Sequence, residues 1–296
     1  MSRFAALFWK SFFGFRNCEV AFNIAIPEEY IVTSSQVPSS KKNAIVCLVR
    51  GKKNLSDYDE LIERNLSLQR NFSGFSDCDN LIFHEGNITS EQQSYVKDAS
   101  PNSAFVTLPD KCFSKKHADR FLPYENTWRL GYKHMCRFFS VEIYPLLEEY
   151  QYYWRLDDDC FLHGELNFDP FEKLADSDCL YGYVREKIEG HKLTRETLPE
   201  FSRKYLEAVH PEKVNDVDVS ALNYYNNFHV SSVAFWSRPE VVNFLGSVDE
   251  SGGIYKYRWG DSTIQAIAVR MFSEPEQRMK FEEVRYEHRS HNWKSY

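Results

Sequence analysis

The chain of 296 residues is predicted to be an α/β protein with a mostly parallel central sheet. Residues 44–49 form a continuous apolar run, which is typical of a strand buried on both faces. Residues 56–70 follow with leucines at helical spacing, and a second apolar strand pattern comes at 80–84. Strand and helix patterns that alternate at this rhythm indicate right-handed βαβ units, which build parallel sheets.

The remaining elements are predicted from the same periodicities. A helix near 90–97 and a strand at 104–108 complete the first run of alternating elements. A long helical pattern at 124–144 is expected to end at Pro145, because proline cannot continue a helix. The later elements are an aromatic-rich strand, two further strands and a helix, at 150–156, 179–185, 228–236 and 261–272.

The composition indicates a folded protein and limits the choice of partner. Hydrophobic residues make up 43% and aromatic residues 16% of the chain, which excludes a disordered sequence. Lys and Arg number 36 against 43 Asp and Glu, so the formal net charge is −7. This balance argues against nucleic acid as the partner, because nucleic acid binds to basic surfaces. An anionic ligand would need a local source of positive charge.

One domain is predicted behind an N-terminal extension. Residues 1–42 are interpreted as extension and linker, since the stretch 33–43 is polar and contains Ser and Pro. Residues 43–296 are predicted to be a single domain. The apolar run at 4–9 is closed by Lys10 and is much shorter than the ~20 residues that span a bilayer. We therefore expect no transmembrane segment, and a short N-terminal helix that packs on the domain.

Three consecutive carboxylates, Asp157, Asp158 and Asp159, form the strongest local feature. They follow the predicted strand at 150–156, and ligands of α/β sheets bind at the carboxyl ends of strands. Alternate carboxylates of a D-x-D pattern can hold Mg²⁺ or Mn²⁺, which take further oxygens from phosphates and water. Such a metal would supply the local positive charge. The alternative is a solvated acidic turn that caps a helix.

Asp261 and His288 are further candidates for the site. Asp261 precedes an apolar-periodic helix and is locally an N-cap residue, or a carboxylate that faces a pocket as general base or acceptor binder. His288 and His291 lie near the C-terminus, where an imidazole could complete a metal site with the Asp cluster. The alternative for both histidines is a solvated polar tail.

Two arginines lie at predicted strand ends. Arg50 follows the first buried strand, and Arg155 immediately precedes the Asp cluster. The planar guanidinium fork suits phosphates and nucleobases. For Arg155 a salt bridge to the nearby Asp residues is an equal alternative.

Several motifs, in collinear order, resemble the fungal Golgi α-1,2-mannosyltransferases that use GDP-mannose and Mn²⁺. The match runs from about residue 43 to 293. It is densest at Gly-Tyr-Lys-His-Met-Cys-Arg-Phe (131–138), Tyr-Tyr-Trp-Arg-Leu-Asp-Asp-Asp (152–159) and Tyr-Arg-Trp-Gly-Asp (257–261). Shorter matches are Leu-Val-Arg at 48–50, Phe-His-Glu at 83–85 and Tyr-Gly-Tyr at 181–183.

The resemblance implies a GT-A-type, Rossmann-like nucleotide-sugar domain, with a donor half at 43–159 and an elaborated acceptor half at 160–296. Its implied metal is Mn²⁺ or Mg²⁺, and its partners are a nucleotide-diphosphate sugar and a glycan or glycoprotein acceptor. By position, the metal ligands are Asp157, Asp159 and His288. The donor-binding residues are Arg50 at the nucleotide, Arg155 and Asp157 near the diphosphate, and Tyr132 near the sugar. Asp261 takes the acidic position that faces the acceptor.

The chain departs from the family pattern at a position proposed for catalysis. The family segment Asn-Phe-Glu-Ile is Asn-Phe-His-Val here, which puts His229 where the family has a Glu proposed as nucleophile. A neutral imidazole is a poor substitute for a carboxylate that forms a glycosyl–enzyme intermediate. Transfer would then retain configuration without a protein nucleophile, or invert with Asp261 as base. His229 and Asp261 are the two predicted catalytic positions.

The sequence thus predicts a metal-dependent glycosyltransferase that moves a sugar, foremost mannose from GDP-mannose, to a glycan hydroxyl. The alternatives are a UDP-sugar transferase that inverts through Asp261, an inactive relative that binds nucleotide sugars, and a metal-dependent hydrolase of nucleotide sugars or phosphate esters. Family members are luminal and carry an N-terminal anchor. Because this chain shows no such segment, a soluble, cytoplasmic protein is favoured, and the Golgi lumen requires an anchor that has been removed.

Overall fold

The computed structural model describes residues 43–295. The predicted extension at 1–42, with its apolar run at 4–9 and almost all of the polar stretch 33–43, lies outside the described residues. Among residues 43–295, no helix combines the length and the apolar character needed to cross a membrane.

The strands of the described residues are numbered in chain order. They are Ala44–Leu48 (β1), Asp79–His84 (β2), Ser103–Thr107 (β3), Tyr152–Leu156 (β4), Cys160–Leu162 (β5), Tyr181–Tyr183 (β6), Glu186–Ile188 (β7), Leu222–Tyr224 (β8), Phe228–Ser232 (β9), Arg278–Lys280 (β10), Tyr286–His288 (β11) and Trp293–Lys294 (β12).

The α-helices are numbered in the same way. They are Asp59–Asn71 (α1), Ser90–Ala99 (α2), Lys115–Asp119 (α3), Leu130–Arg137 (α4), Ile143–Leu146 (α5), Pro170–Asp176 (α6), Lys192–Val209 (α7), Val233–Trp236 (α8), Pro239–Ser251 (α9), Gly253–Lys256 (α10) and Asp261–Phe272 (α11).

A seven-stranded sheet forms the centre of the fold, in the order β10-β6-β9-β4-β1-β2-β3. Neighbouring strands are parallel except in the two pairs that β9 forms, with β4 and with β6. The predicted α/β class with a mostly parallel sheet is therefore confirmed. Because β9 runs against β4, the first residues of β9 lie beside the last residues of β4, and Arg155 is opposite His229.

Burial on both faces explains the apolar run of β1, an interior strand of the sheet. Ala44 and Val46 of β1 pack into one apolar cluster, and Ile45 packs into another with Trp154. The side chains of these three residues are fully buried. Successive strand residues point to opposite faces, so a continuous apolar run is what a doubly covered strand requires.

Two small sheets complete the edge at which β4 ends. The antiparallel strands β5, β11 and β12 form one of them, with His288 opposite Cys160. The antiparallel pair of β7 and β8 forms the other. The first of these sheets brings residues near 288 beside the Asp cluster.

The long helix predicted at 124–144 is wrong in its start and its end. The helix begins at Leu130, passes through a π-helical segment at Phe138–Glu142 and continues to Leu146, with Pro145 inside its last turn. The preceding backbone is committed to other partners, because Glu125 N–H donates to the carbonyl of Tyr255 and Lys133 Nζ donates to the carbonyls of Glu125 and Trp128. Tertiary contacts of this kind override a local helical pattern.

Two predicted strands are shorter than expected. The strand predicted at 228–236 ends at Ser232, and the last four residues form α8. The strand predicted at 179–185 is confined to Tyr181–Tyr183. The helix at 261–272 agrees with its prediction, but its N-cap is Gly260, so the expectation that Asp261 is the cap is wrong by one residue.

Candidate active site

The three carboxylates after β4 have three different partners. Asp157 accepts two hydrogen bonds from Arg155, at 2.8 Å from Nε and 3.2 Å from Nη2. Asp158 lies 3.8 Å from Lys52 Nζ. Asp159 Oδ1 lies 3.3 Å from Nε2 of His288. The acidic run is therefore not a uniformly solvated turn, because each side chain faces a separate cation or imidazole.

The Arg155 side chain connects two carboxylates of the site, those of Asp157 and Asp261. Its Nη1 donates to Oδ2 of Asp261 over 2.5 Å, and its guanidinium lies 3.5 Å from the ring centre of Phe139. Burial acts to lower the pKa of Arg155, but the carboxylates of Asp157 and Asp261 outweigh it and keep the pKa above its usual value. The salt bridge weighed from the sequence is present, and it extends to a second carboxylate on α11.

Asp261 is the first residue of α11 and is almost completely buried. Its Oδ2 also accepts a 2.9 Å hydrogen bond from Asn226 Nδ2. Burial acts to raise the pKa of Asp261, whereas Arg155 and the Asn226 amide bring it below its usual value. The carboxylate is therefore ionised, and a low pKa makes it a weak proton acceptor.

His229 lies beneath this ion pair, within the sheet. Its side chain is 0% exposed and stacks on the ring of Tyr181, with 5.1 Å between ring centres. Nδ1 is 2.9 Å from the carbonyl of Asn226, and Nε2 is 3.0 Å from Oη of Tyr153. Burial, with Arg155 nearby, lowers the pKa of His229 to about 3, so the imidazole is neutral. Both ring nitrogens are occupied by protein groups.

Asp159, Cys160 and His288 form the candidate metal site. Their potential ligand atoms all lie within 4.8 Å of one another. Burial acts to raise the pKa of Asp159, but hydrogen bonds from His288 and Ser290 lower it well below its usual range. Burial raises the pKa of Cys160 far above its ordinary value, so the sulfur stays a neutral thiol. A carboxylate oxygen and an imidazole nitrogen suit a divalent cation such as Mn²⁺.

Ser290 and Tyr225 orient this pair and were not predicted from the sequence. Ser290 N–H donates to Asp159 Oδ2 over 3.2 Å, and its hydroxyl is 3.2 Å from His288 Nε2. Tyr225 Oη is 2.6 Å from His288 Nδ1. A partner at one ring nitrogen fixes the tautomer that presents the other to a metal. The only sequence signal for Tyr225 is its place in the polar and aromatic run before β9.

Tyr132 belongs to a second corner of the site, next to the start of α11. Its ring packs on Trp128 with 4.5 Å between centres and a tilt of 32°, and its hydroxyl accepts a 2.7 Å hydrogen bond from Arg258 Nη2. Arg258 has a φ of 58° and pairs with Glu189 over 3.2 Å. A methyl group placed on Gly260 would lie 3.6 Å from Glu189 Oε2 and 3.9 Å from Tyr132 Oη. This corner therefore adjoins Asp261.

The sequence profile of the glycolipid 2-alpha-mannosyltransferase family matches residues 27–293. The chain belongs to this family.

Two curated relatives illustrate how far the family likeness extends. The O-glycoside alpha-1,2-mannosyltransferase omh1 of Schizosaccharomyces pombe is 26% identical over 281 residues, which cover 86% of this chain and 71% of that protein. The alpha-1,2 mannosyltransferase KTR1 of Saccharomyces cerevisiae is 28% identical over 173 residues, which cover 54% of this chain and 44% of that protein. The chain thus spans less than half of KTR1.

A solved structure shares the fold. Core-mannan synthase A (CmsA/Ktr4) from Aspergillus fumigatus, in its Mn/GDP form, is 19% identical, with a TM-score of 0.72 over 86% of this chain and 77% of that one. The GT-A-type fold implied by the resemblance is therefore confirmed.

The predicted site residues that follow β4 or contact it form two groups. Asp159 and His288 lie together, whereas Asp157 is bound to Arg155 on the side that leads to Asp261. Arg50 is exposed just beyond β1 and forms no ion pair with any residue of 43–295.

Proposed function

We propose that this chain is a metal-dependent glycosyltransferase that transfers mannose from GDP-mannose to a hydroxyl of a glycan or glycoprotein. The observation that carries the proposal is the pairing of Asp159 with His288 beside the Arg155–Asp261 ion pair, at the carboxyl end of β4. Family membership and the Mn/GDP form of core-mannan synthase A support it. The chain spans only part of the length of these relatives.

Asp159 and His288 would hold the cation. An imidazole nitrogen beside a carboxylate favours Mn²⁺, whereas Mg²⁺ prefers oxygen ligands, which makes Mg²⁺ the second choice. When bound, the metal would supply Lewis-acid charge to the leaving diphosphate. Asp157 is proposed to help bind the donor, with its carboxylate held in position by the hydrogen bond from Arg155.

The donor and acceptor would lie on either side of the Arg155 guanidinium. Arg50 is proposed to contact the nucleotide, and Tyr132 the transferred sugar. Asp261 is proposed to accept a hydrogen bond from the attacking hydroxyl and to orient it. Since its pKa is low, Asp261 is better suited to orientation than to early proton removal.

His229 is proposed to position Asp261 indirectly, through Asn226. Its Nδ1 supports the Asn226 carbonyl, and the Asn226 amide bonds to Asp261. A neutral, enclosed imidazole cannot form the glycosyl–enzyme intermediate that a carboxylate would form. We therefore favour attack from the same face as the departing diphosphate, with retention of configuration, over inversion with Asp261 as base.

Binding and turnover experiments test the proposal. Isothermal calorimetry with GDP and UDP, each with and without Mn²⁺, should show Mn²⁺-dependent binding of GDP. A panel of GDP-mannose, GDP-fucose, UDP-glucose, UDP-galactose and UDP-xylose then identifies the donor, and NMR of the product gives its anomeric configuration. Absence of nucleotide binding, or binding indifferent to metal, would refute the proposal.

A catalytically inactive relative is the second candidate, because His229 replaces the family Glu and has both nitrogens occupied. That protein would bind the donor but transfer no sugar to any acceptor. A two-metal hydrolase is not supported, since residues 43–295 contain one group of three or more potential metal ligands.

A further inference from the structure

Two cations beside the metal pair have no carboxylate partner. Arg185 is the residue before β7, and Lys187 lies within β7. Neither forms a salt bridge with any carboxylate of residues 43–295. The Lys187 side chain is exposed and that of Arg185 is half-buried. Residues two apart in an extended chain share a face, so both side chains can point the same way.

Aromatic rings hold both cations in place. The Arg185 guanidinium carbon lies 5.0 Å from the ring centre of Trp293 and 5.6 Å from that of Tyr225. The Lys187 ammonium lies 5.5 Å from the ring centre of Tyr225. Tyr225 N–H also donates to the Arg185 carbonyl over 2.8 Å. Cation–π contacts of this length position a charge without neutralising it.

The same tyrosine ring touches the candidate metal site. Tyr225 Oη is 2.6 Å from His288 Nδ1, so Arg185 and Lys187 are separated from the Asp159–His288 pair by one aromatic side chain.

The two cations that face the Asp cluster directly are already paired with carboxylates. Arg155 is bound to Asp157 and Asp261, and Lys52 faces Asp158. In a chain with a net charge of −7, two cations left unpaired next to an acidic cluster require an explanation. An anionic ligand at the metal pair would supply the missing partner.

We propose that Arg185 and Lys187 bind the diphosphate of the nucleotide, with Tyr225 and Trp293 holding their side chains toward it. This inference rests on the proposed function, since it requires a nucleoside diphosphate at Asp159 and His288. The Arg185 fork can bind two phosphate oxygens, and Lys187 acts as a point charge. Both charges would also stabilise the diphosphate as it leaves the sugar.

The test is calorimetric titration of the whole chain, with Mn²⁺ present, against GDP, inorganic pyrophosphate and guanosine. Arg185→Ala and Lys187→Ala are each expected to weaken binding of GDP and of pyrophosphate about 10-fold, and the double variant more. Binding of guanosine should not change. Arg185→Lys should recover part of the loss. Lys192→Ala is the matched control, because Lys192 is 76% exposed and pairs with Glu196.

Arg185→Gln and Lys187→Gln serve as second variants if an alanine variant fails to fold, since they remove the charge and keep a polar group on a shorter aliphatic stem. Unchanged GDP binding in the double variant overturns the inference and leaves the proposed function intact. An equal loss of GDP and guanosine binding also overturns it, because it would mean that the two residues act through structure. If the unaltered chain binds no GDP with Mn²⁺, the proposed function fails and this inference fails with it.

Discussion

Arg155 Nη1 donates a 2.5 Å hydrogen bond to Asp261 Oδ2, and this buried ion pair joins the end of β4 to the start of α11. The two residues are 106 positions apart in the chain. The same guanidinium binds Asp157, so one arginine links a carboxylate beside the metal pair with one on the opposite side of the site.

Asp261→Asn is expected to reduce transfer about 100-fold and to leave GDP affinity nearly unchanged. The amide keeps the shape of the side chain but loses the charge that orients the acceptor hydroxyl. Steady-state kinetics and calorimetry check the two halves of this prediction. A parallel loss of GDP binding would show instead that Asp261 serves the donor.

Asp261→Ala is also expected to lower the free energy of unfolding by about 3 kcal/mol, because it removes one partner of a buried ion pair. Urea unfolding measures this change. Asp218→Asn is the control: Asp218 lies 3.7 Å from Arg270, but it is largely exposed, so its change should stay below about 1 kcal/mol. Equal effects of the two variants would contradict this account.

Asp159→Ala is expected to remove the Mn²⁺ dependence of GDP binding while the fold remains intact. The change deletes the oxygen ligand paired with His288. Calorimetry with and without Mn²⁺ gives the readout, and circular dichroism checks the fold. Asp158→Asn, which weakens the contact with Lys52, and Cys160→Ser, which replaces a neutral thiol, should retain metal dependence. Survival of metal-dependent binding in Asp159→Ala would show that the metal is held elsewhere.

His229 should make the protein less stable in acid. Its pKa is about 3 in the folded protein and 6.5 ordinarily, so below pH 6.5 the unfolded chain takes up a proton that the folded protein excludes. The stability that this residue contributes is complete above pH 6.5 and is lost as the pH falls toward 3.

His229→Gln is expected to remove this dependence. Between pH 6 and pH 4, the free energy of unfolding of the unaltered chain should fall by about 1.4 kcal/mol per pH unit more than that of the variant. Urea unfolding at several pH values measures both slopes, and the remaining titratable groups cancel in the comparison. Identical slopes would show that His229 titrates normally.

Trp128→Ala is expected to raise the KM for a sugar acceptor such as methyl α-mannoside about 10-fold. Trp128 is 43% exposed, packs against the tilted ring of Tyr132 and lies 4.8 Å from the Arg258 guanidinium, so it offers a rigid aromatic face in the corner that adjoins Asp261. Trp128→Phe should restore most of the affinity, and GDP binding should not change in either variant. A change in GDP affinity without a change in acceptor KM would show that Trp128 contacts the donor and not the acceptor.

The sequence anticipated elements whose local pattern and tertiary role agree. The apolar run at 44–49 became β1, and the periodic segment at 261–272 became α11. The start of α4 could not be predicted, because Glu125 bonds to Tyr255, a residue far along the chain.

In the candidate site, too, the residues within local motifs could be predicted, and those defined by long-range contacts could not. Asp159 and His288 were named from motifs, and the structure brings them together. Motifs could not tell which of three adjacent aspartates meets the histidine, since this depends on how the chain turns after β4. Tyr225 was missed because its contact with His288 spans 63 residues and leaves no local pattern.

The pairing of β5 with β11 has a consequence for the order in which the protein is made. Asp159 lies near the middle of the chain, but its partner His288 is delivered only when β11 aligns with β5. On the ribosome, the strands β1 to β4 can associate well before residue 288 has been synthesised. The candidate metal pair therefore cannot assemble before β11 has been synthesised, and a nascent chain would acquire its affinity for the cation only after that point.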